Sequence, residues 1–164
     1  MKKIMLISLM ICCLLLIPGA ALGLNTAEVQ EKGGEITLLF IGEQGLQMGV
    51  EYGLTPEIAA YVQIHEAATL VSAKYEFDSN LAIMLGVVNE APFIGINTSM
   101  PLDENIKLMG DFSLSLANNR LSALLEMGIG FKFADNMDLR GGLLAEASNN
   151  GKTFNFQMGI GIHY

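Results

Sequence analysis

From residue 35 to the end of the chain, apolar and polar residues alternate with period two in almost every segment. The stretches LQMGVEYGL (Leu46 to Leu54), TLVSAKYEF (Thr69 to Phe77), LSALLEMGIGFKF (Leu121 to Phe133) and FNFQMGIGIHY (Phe154 to Tyr164) carry it most clearly. Successive side chains of a strand point to opposite faces, so this alternation predicts strands with one apolar and one polar face. No stretch keeps helical spacing for long. The pattern predicts an all-β chain of about ten strands, at 35–42, 46–54, 58–65, 68–77, 81–89, 93–102, 106–116, 121–133, 137–147 and 153–164, with eight as the alternative count.

Four connections repeat one form, an apolar residue, three turn residues and a second apolar residue: LTPEI from Leu54, FDSNL from Phe77, LDENI from Leu102 and FADNM from Phe133. Three of them end the loop on Asn, which tolerates the left-handed conformation that three-residue hairpin loops usually need. The odd loop length pairs Leu54 with Ile58, Phe77 with Leu81 and Phe133 with Met137, and sets Lys132 opposite Asp138. The other five connections are also short. Such an even meander would leave two long unpaired edges unless it closes, so the expected fold is an antiparallel up-and-down β-barrel.

Alternation alone does not say which face points out. One face carries Leu46, Met48, Val50, Tyr52, Val71, Tyr75, Leu125, Met127, Ile129 and Phe131, with almost no polar atoms. The other is rich in Gly and Ser and carries the charges Glu35, Glu51, Lys74, Glu76, Lys107, Asp111, Glu126, Lys132, Asp138, Arg140 and Glu146. A water-facing surface so poor in charge would be atypical, whereas small residues with charges of both signs suit a confined lumen. The preferred reading is therefore a transmembrane barrel with the charged face inward. Tyr52, Tyr75, Phe77, Phe131, Phe133 and Tyr164 all fall on the apolar face near the strand ends at one rim, as an interfacial aromatic girdle would. The alternative is a soluble, lipocalin-like periplasmic barrel, apolar inside, that binds a hydrophobic ligand.

Composition supports an apolar surrounding, since the 164 residues are 51% hydrophobic and only 16% charged. Residues 1–23 read as an export signal: Lys2 and Lys3, an apolar run from Ile4 to Ile17, Pro18, then small residues to ALG at Ala21 to Gly23, with cleavage before Leu24. That run is short for a membrane-spanning helix. Residues 24–34 read as a short lead-in and 35–164 as the barrel domain. Cys12 and Cys13 lie within the signal, so the exported chain has no disulfide. Removing the signal leaves 7 basic and 17 acidic residues, a net charge of −10 that argues against nucleic acid as a partner.

The last eight residues, QMGIGIHY, resemble the C-terminal assembly signal of bacterial outer-membrane β-barrel proteins, with Gln157, Gly159, Ile162 and Tyr164 in its polar, glycine, hydrophobic, aromatic order. The hairpin VEYGLTPEIAAYVQI likewise resembles the tight periplasmic turns of that superfamily. The resemblance implies residence in the outer membrane, contact with its lipid, and handling by periplasmic chaperones and the barrel assembly machinery. It also implies that both termini and the four repeated turns face the periplasm.

Candidate chemistry is sparse. NGKT at Asn150 to Thr153 lacks the upstream glycine and following helix of a phosphate-binding loop, and HEAAT at His65 lacks the second histidine of a zinc-protease helix. The two histidines, His65 and His163, fall at opposite rims, and hairpin register sets His65 opposite Ala68 and Ser72 opposite Tyr61, so no Ser-His-acid cluster forms locally. The expectation is a protein without catalytic, cofactor or metal site, structural or forming a narrow, plugged and weakly cation-preferring pore. An outer-membrane enzyme acting on lipid is the third reading. Ten strands lie near the size at which side chains fill the interior.

Overall fold

A computed structural model describes residues 24–66, 68–117, 120–148 and 151–164. The expected export signal lies outside the described residues. Ten antiparallel strands follow one another as β1 (Gly34–Ile41), β2 (Gly45–Gly53), β3 (Ile58–His65), β4 (Ala68–Asp78), β5 (Leu81–Val88), β6 (Ala91–Pro101), β7 (Ile106–Ala117), β8 (Arg120–Ala134), β9 (Met137–Ser148) and β10 (Gly151–His163). Each pairs with its neighbour in sequence, and β10 returns to β1, so the sheet is a closed barrel without an edge. At the seam Leu38 opposes Ile160 and Phe40 opposes Met158. The period-two pattern therefore reports ten strands and their closure correctly.

Two of the four repeated turns keep the expected pairing. Leu54 donates its N–H to the Ile58 carbonyl at 2.8 Å, and Leu102 does the same to Ile106 at 2.8 Å. In the other two the register shifts by a bulge, so that Asp78 rather than Phe77 opposes Leu81, and Ala134 rather than Phe133 opposes Met137. Lys132 still opposes Asp138 in the ladder. Bulges are common at barrel rims because they add local twist, and both leave their Phe ring exposed outside.

The expected left-handed Asn residues are also corrected. Among the described residues the non-glycine positions with positive φ are Lys32, Asn89 and Glu90, not Asn80, Asn105 or Asn136. The first loop residue closes these turns instead. The Asp78 carboxylate accepts the Asn80 N–H at 2.8 Å, Asp103 accepts the N–H groups of Asn105 and Ile106 at 2.8 Å each, and the Thr55 hydroxyl accepts that of Ile58 at 3.0 Å. Such Asx- and ST-turns satisfy the loop amides without positive φ. The left-handed pair Asn89–Glu90 belongs to the two-residue loop between β5 and β6, at the opposite rim, where a primed turn matches strand twist.

Tyr164 fastens the seam. Its N–H and carbonyl pair with Gly34 at 3.1 and 2.9 Å, and its hydroxyl donates to the Glu51 carbonyl of β2 at 2.8 Å. Deleting Tyr164 removes all three, each worth about 0.5–1.5 kcal/mol net. The expected result is a barrel whose unfolding midpoint in urea falls while its folded, heat-modifiable form persists; an unchanged midpoint would leave these bonds without energetic weight.

Candidate functional site: the filled interior of the barrel

Inward positions alternate with outward ones along every strand, and the interior has three levels. Near the rim opposite the repeated turns it is apolar: Tyr61, Leu70, Met84, Val88, Ala91 and Phe93 form one cluster, and Ile41, Leu124 and Leu144 another. The middle is polar, with Thr37, Gln47, Gln63, Asn97, Asp111, Ser113, Glu126 and Gln157 all buried. Charges dominate towards the turn rim.

The first part of the lead-in, within residues 24–33, runs inside the barrel. Leu24, Asn25, Thr26 and Ala27 are all buried. The Leu24 side chain packs with Leu39 and Met109, and it lies where a Cβ at Gly128 or Gly142 would stand. These two glycines oppose each other across β8 and β9, so the barrel wall is thinned where the segment enters. Six backbone groups of its residues 24–29 bond to side chains of the wall. The Leu24 carbonyl accepts from Arg140, that of Asn25 from the Asn97 side-chain amide at 3.0 Å, and those of Thr26 and Glu28 from Lys74 Nζ at 2.6 and 3.2 Å. The Ala27 N–H donates to Ser99 Oγ at 3.1 Å, and the Val29 N–H to Glu76. At the rim the segment leaves through a short parallel bridge between Glu31 and Gly53. Buried backbone groups need partners in this way because each unmatched one is costly.

Three ion-pair groups hold the wall and the segment together. Arg140 meets Glu35 with two parallel bonds of 2.6 and 2.8 Å, the fork geometry that favours arginine, and also binds Asp138. His163 approaches Asp138 at 2.9 Å and Glu35 at 3.6 Å. Lys74 pairs with Glu51 at 2.7 Å. Lys107 reaches Glu28 of the segment at 2.6 Å.

The eleven charges singled out from sequence thus divide by position. Glu35, Glu51, Lys74, Asp111, Glu126 and Arg140 are buried, while Glu76, Lys107, Asp138 and Glu146 are partly exposed. Lys132 lines the mouth of the interior with Lys107 and Asp138. It stands exposed at the rim, 3.9 Å from Asp135. Of the aromatics, Tyr52, Tyr75, Phe77, Phe131, Phe133 and Tyr164 are all exposed, and the Tyr75 and Phe77 rings meet edge to face at 4.9 Å. Gln157 is buried and donates to Glu126 at 3.0 Å, and Gly159 lies against the Leu38 backbone. His65 sits at the opposite rim, 2.7 Å from the Gln44 carbonyl.

A vestibule of about 270 Å³ opens at the turn rim, lined by Lys107, Met109, Gly130, Lys132, Asp138 and His163 among others. Met109, packed with Leu24 and Leu39, closes its inner end. Beyond that floor the interior is occupied by the segment and then by the apolar clusters.

Gly128→Ala tests the fit of the segment. The added methyl meets the Leu24 side chain and the Gly141 carbonyl, an overpacking that typically costs about 1–3 kcal/mol. The expected outcome is protease cleavage within residues 24–33 with the rest of the barrel resistant. Cleavage no faster than in the unaltered protein would show that Leu24 does not need this space.

No family model and no curated protein matches the chain. Among solved structures, a barrel from the de novo design of transmembrane β-barrels is similar, with a TM-score of 0.41 and 9% identity over 84% of this chain and 99% of its own.

Proposed function

We propose that this protein is a membrane-embedded β-barrel of the bacterial outer membrane, structural in role, with a lumen closed by its own N-terminal segment and apolar interior side chains. One observation carries the reading: the barrel is inverted relative to a soluble one. Large apolar side chains are exposed on every strand, among them Phe40, Met48, Ile64, Val71, Leu85, Ile94, Leu116, Ile129, Leu143 and Met158. Ion pairs and amides fill the middle of the interior. A continuous apolar outer surface far exceeds the few-hundred-Å² patches of soluble monomers, and in a bilayer it is the surface that acyl chains solvate. Ten of these strands, 8 to 15 residues long, bracket the roughly 9–11 needed to cross a bilayer at a tilt.

The lipocalin-like alternative calls for an apolar cavity of ligand size. Against it stands an interior whose apolar clusters are packed and whose centre is polar. Export by a cleaved signal, delivery by periplasmic chaperones and insertion by the barrel assembly machinery complete the proposal, with the QMGIGIHY ending as the recognition element.

Two measurements test it. The chain from Leu24 to Tyr164 is expected to stay monodisperse only in detergent or lipid and to migrate anomalously on unheated gels; a monodisperse, detergent-free barrel would refute membrane residence. In planar bilayers the protein is expected to give no stepwise conductance. Cation-selective steps would instead support a narrow pore through the acid-rich interior, and hydrolysis of lipid by the purified protein would support an enzyme.

A further inference from the structure

The side chains that hold the segment are bonded to the wall as well. Lys74 Nζ donates to Glu51 and directs further donors to the carbonyls of Thr26 and Glu28. Arg140 makes four bonds to Glu35 and Asp138 and one to the Leu24 carbonyl. The Asn97 amide divides its donors between Asp111 and the Asn25 carbonyl. Side chains on β4, β6 and β9 therefore each keep a partner in the wall and present what remains along the track of the segment. Acceptors follow the same track, Ser99 for the Ala27 N–H and Glu76 for the Val29 N–H. Withdrawal of the segment leaves Lys74 and Arg140 with their own carboxylates, so neither buried cation is stranded.

What these groups read is backbone, so affinity comes from the main chain and selectivity from a few side chains, the division of labour usual in peptide recognition. The Leu24 side chain fills an apolar niche with Leu39 and Met109, against the Gly128 and Gly142 positions. Thr26 adds a hydroxyl bond to Glu35 at 3.2 Å, and Glu28 pairs with Lys107 where both side chains are partly exposed. We infer that the turn-rim half of the lumen is a receptor site for a linear peptide that begins with a branched apolar residue. Residues 24–29 occupy it in cis, and a separate peptide of the same sequence occupies it in trans once they are no longer tethered. Such a site deepens the proposed closure of the lumen by its own segment: the plug is an exchangeable ligand of a wall already bonded to itself, and it leaves without unfolding the barrel.

Cutting the tether tests this. In the chain from Leu24 to Tyr164, a site-specific protease sequence is inserted between Lys32 and Gly33, at the rim where the Lys32 side chain is 82% exposed. After cleavage in detergent, a fluorescent peptide LNTAEVQEK, the sequence of residues 24–32, is expected to replace the cut fragment and gain anisotropy. A peptide carrying L24A is expected to bind at least about thirtyfold more weakly, because Leu24 is fully buried. One carrying E28Q is expected to lose less than about fivefold, because its ion pair is partly exposed. In the unaltered protein, the amides of Ala27 and Val29 are expected to exchange hydrogen at least about tenfold faster than the ladder amides of β7 and β8. Should the insertion variant fail to fold, these exchange rates decide the matter. Failure of the added peptide to bind, whether the fragment is lost or retained, equal binding of a scrambled peptide, or Ala27 and Val29 exchanging only as fast as the strands would each overturn the inference. Failure of the membrane reading appears separately, as a monodisperse detergent-free barrel, and does not alter peptide exchange.

Discussion

Arg140→Met is expected to lower the stability of the barrel by about 3–5 kcal/mol, the usual cost of removing one member of a buried charge cluster. Arg140 is the hub of the interior: it binds Glu35 bidentately, Asp138, and the carbonyl of Leu24. Removing the guanidinium leaves two carboxylates facing each other and one backbone carbonyl without its donor. Urea titration in detergent, followed by far-UV circular dichroism, gives the loss as a shift in midpoint. Adding Glu35→Gln and Asp138→Asn to Arg140→Met removes the stranded charges, so a large part of the loss is expected to return. If the triple variant is no better than the single, lost packing rather than stranded charge accounts for the effect.

Met158→Arg is expected to cost about 2–4 kcal/mol when the barrel is folded in lipid, the range for a basic side chain near the bilayer midplane. Met158 lies near the middle of β10, is 67% exposed, and opposes Phe40 across the seam. In water the same exposed substitution would change stability by only about 0.5 kcal/mol either way. Reversible unfolding from lipid vesicles distinguishes the two environments.

Strand number and closure were legible because both depend on periodicity and parity. Period two marks each strand, and the turn lengths keep apolar positions on one face from Leu46 to Met158, which only a continuous meander requires. The ladder pair Lys132 and Asp138 followed from the same counting. What counting did not reach are local exceptions. The bulges beside Phe77 and Phe133 depend on how Asp78 and Ala134 enter their turns, a matter of one side-chain hydrogen bond and local twist rather than of pattern.

The interior was legible in kind and not in content. Inward parity identified the charges, yet not that Ile41, Leu70, Phe93, Leu124 and Leu144 occupy inward positions near one rim, since alternation describes the average of a face. The segment at 24–33 was the largest omission. It carries no periodic signal, and most of its hydrogen bonds to the wall are made by backbone atoms, which every sequence supplies. The trace it leaves is in the wall: Gly128 and Gly142 are inward glycines on adjacent strands, and the inward acids outnumber the inward bases. Together these indicate a lumen that receives something from the chain itself.

Spin labels on single cysteines at Ile129, Leu143 and Met158, read in lipid vesicles by their accessibility to oxygen and to a water-soluble nickel chelate, decide whether the apolar surface faces lipid. These positions lie on the outside of β8, β9 and β10. Preferential relaxation by oxygen at all three is the expected result. Preferential relaxation by the nickel chelate would place that surface in water and contradict a membrane-embedded barrel.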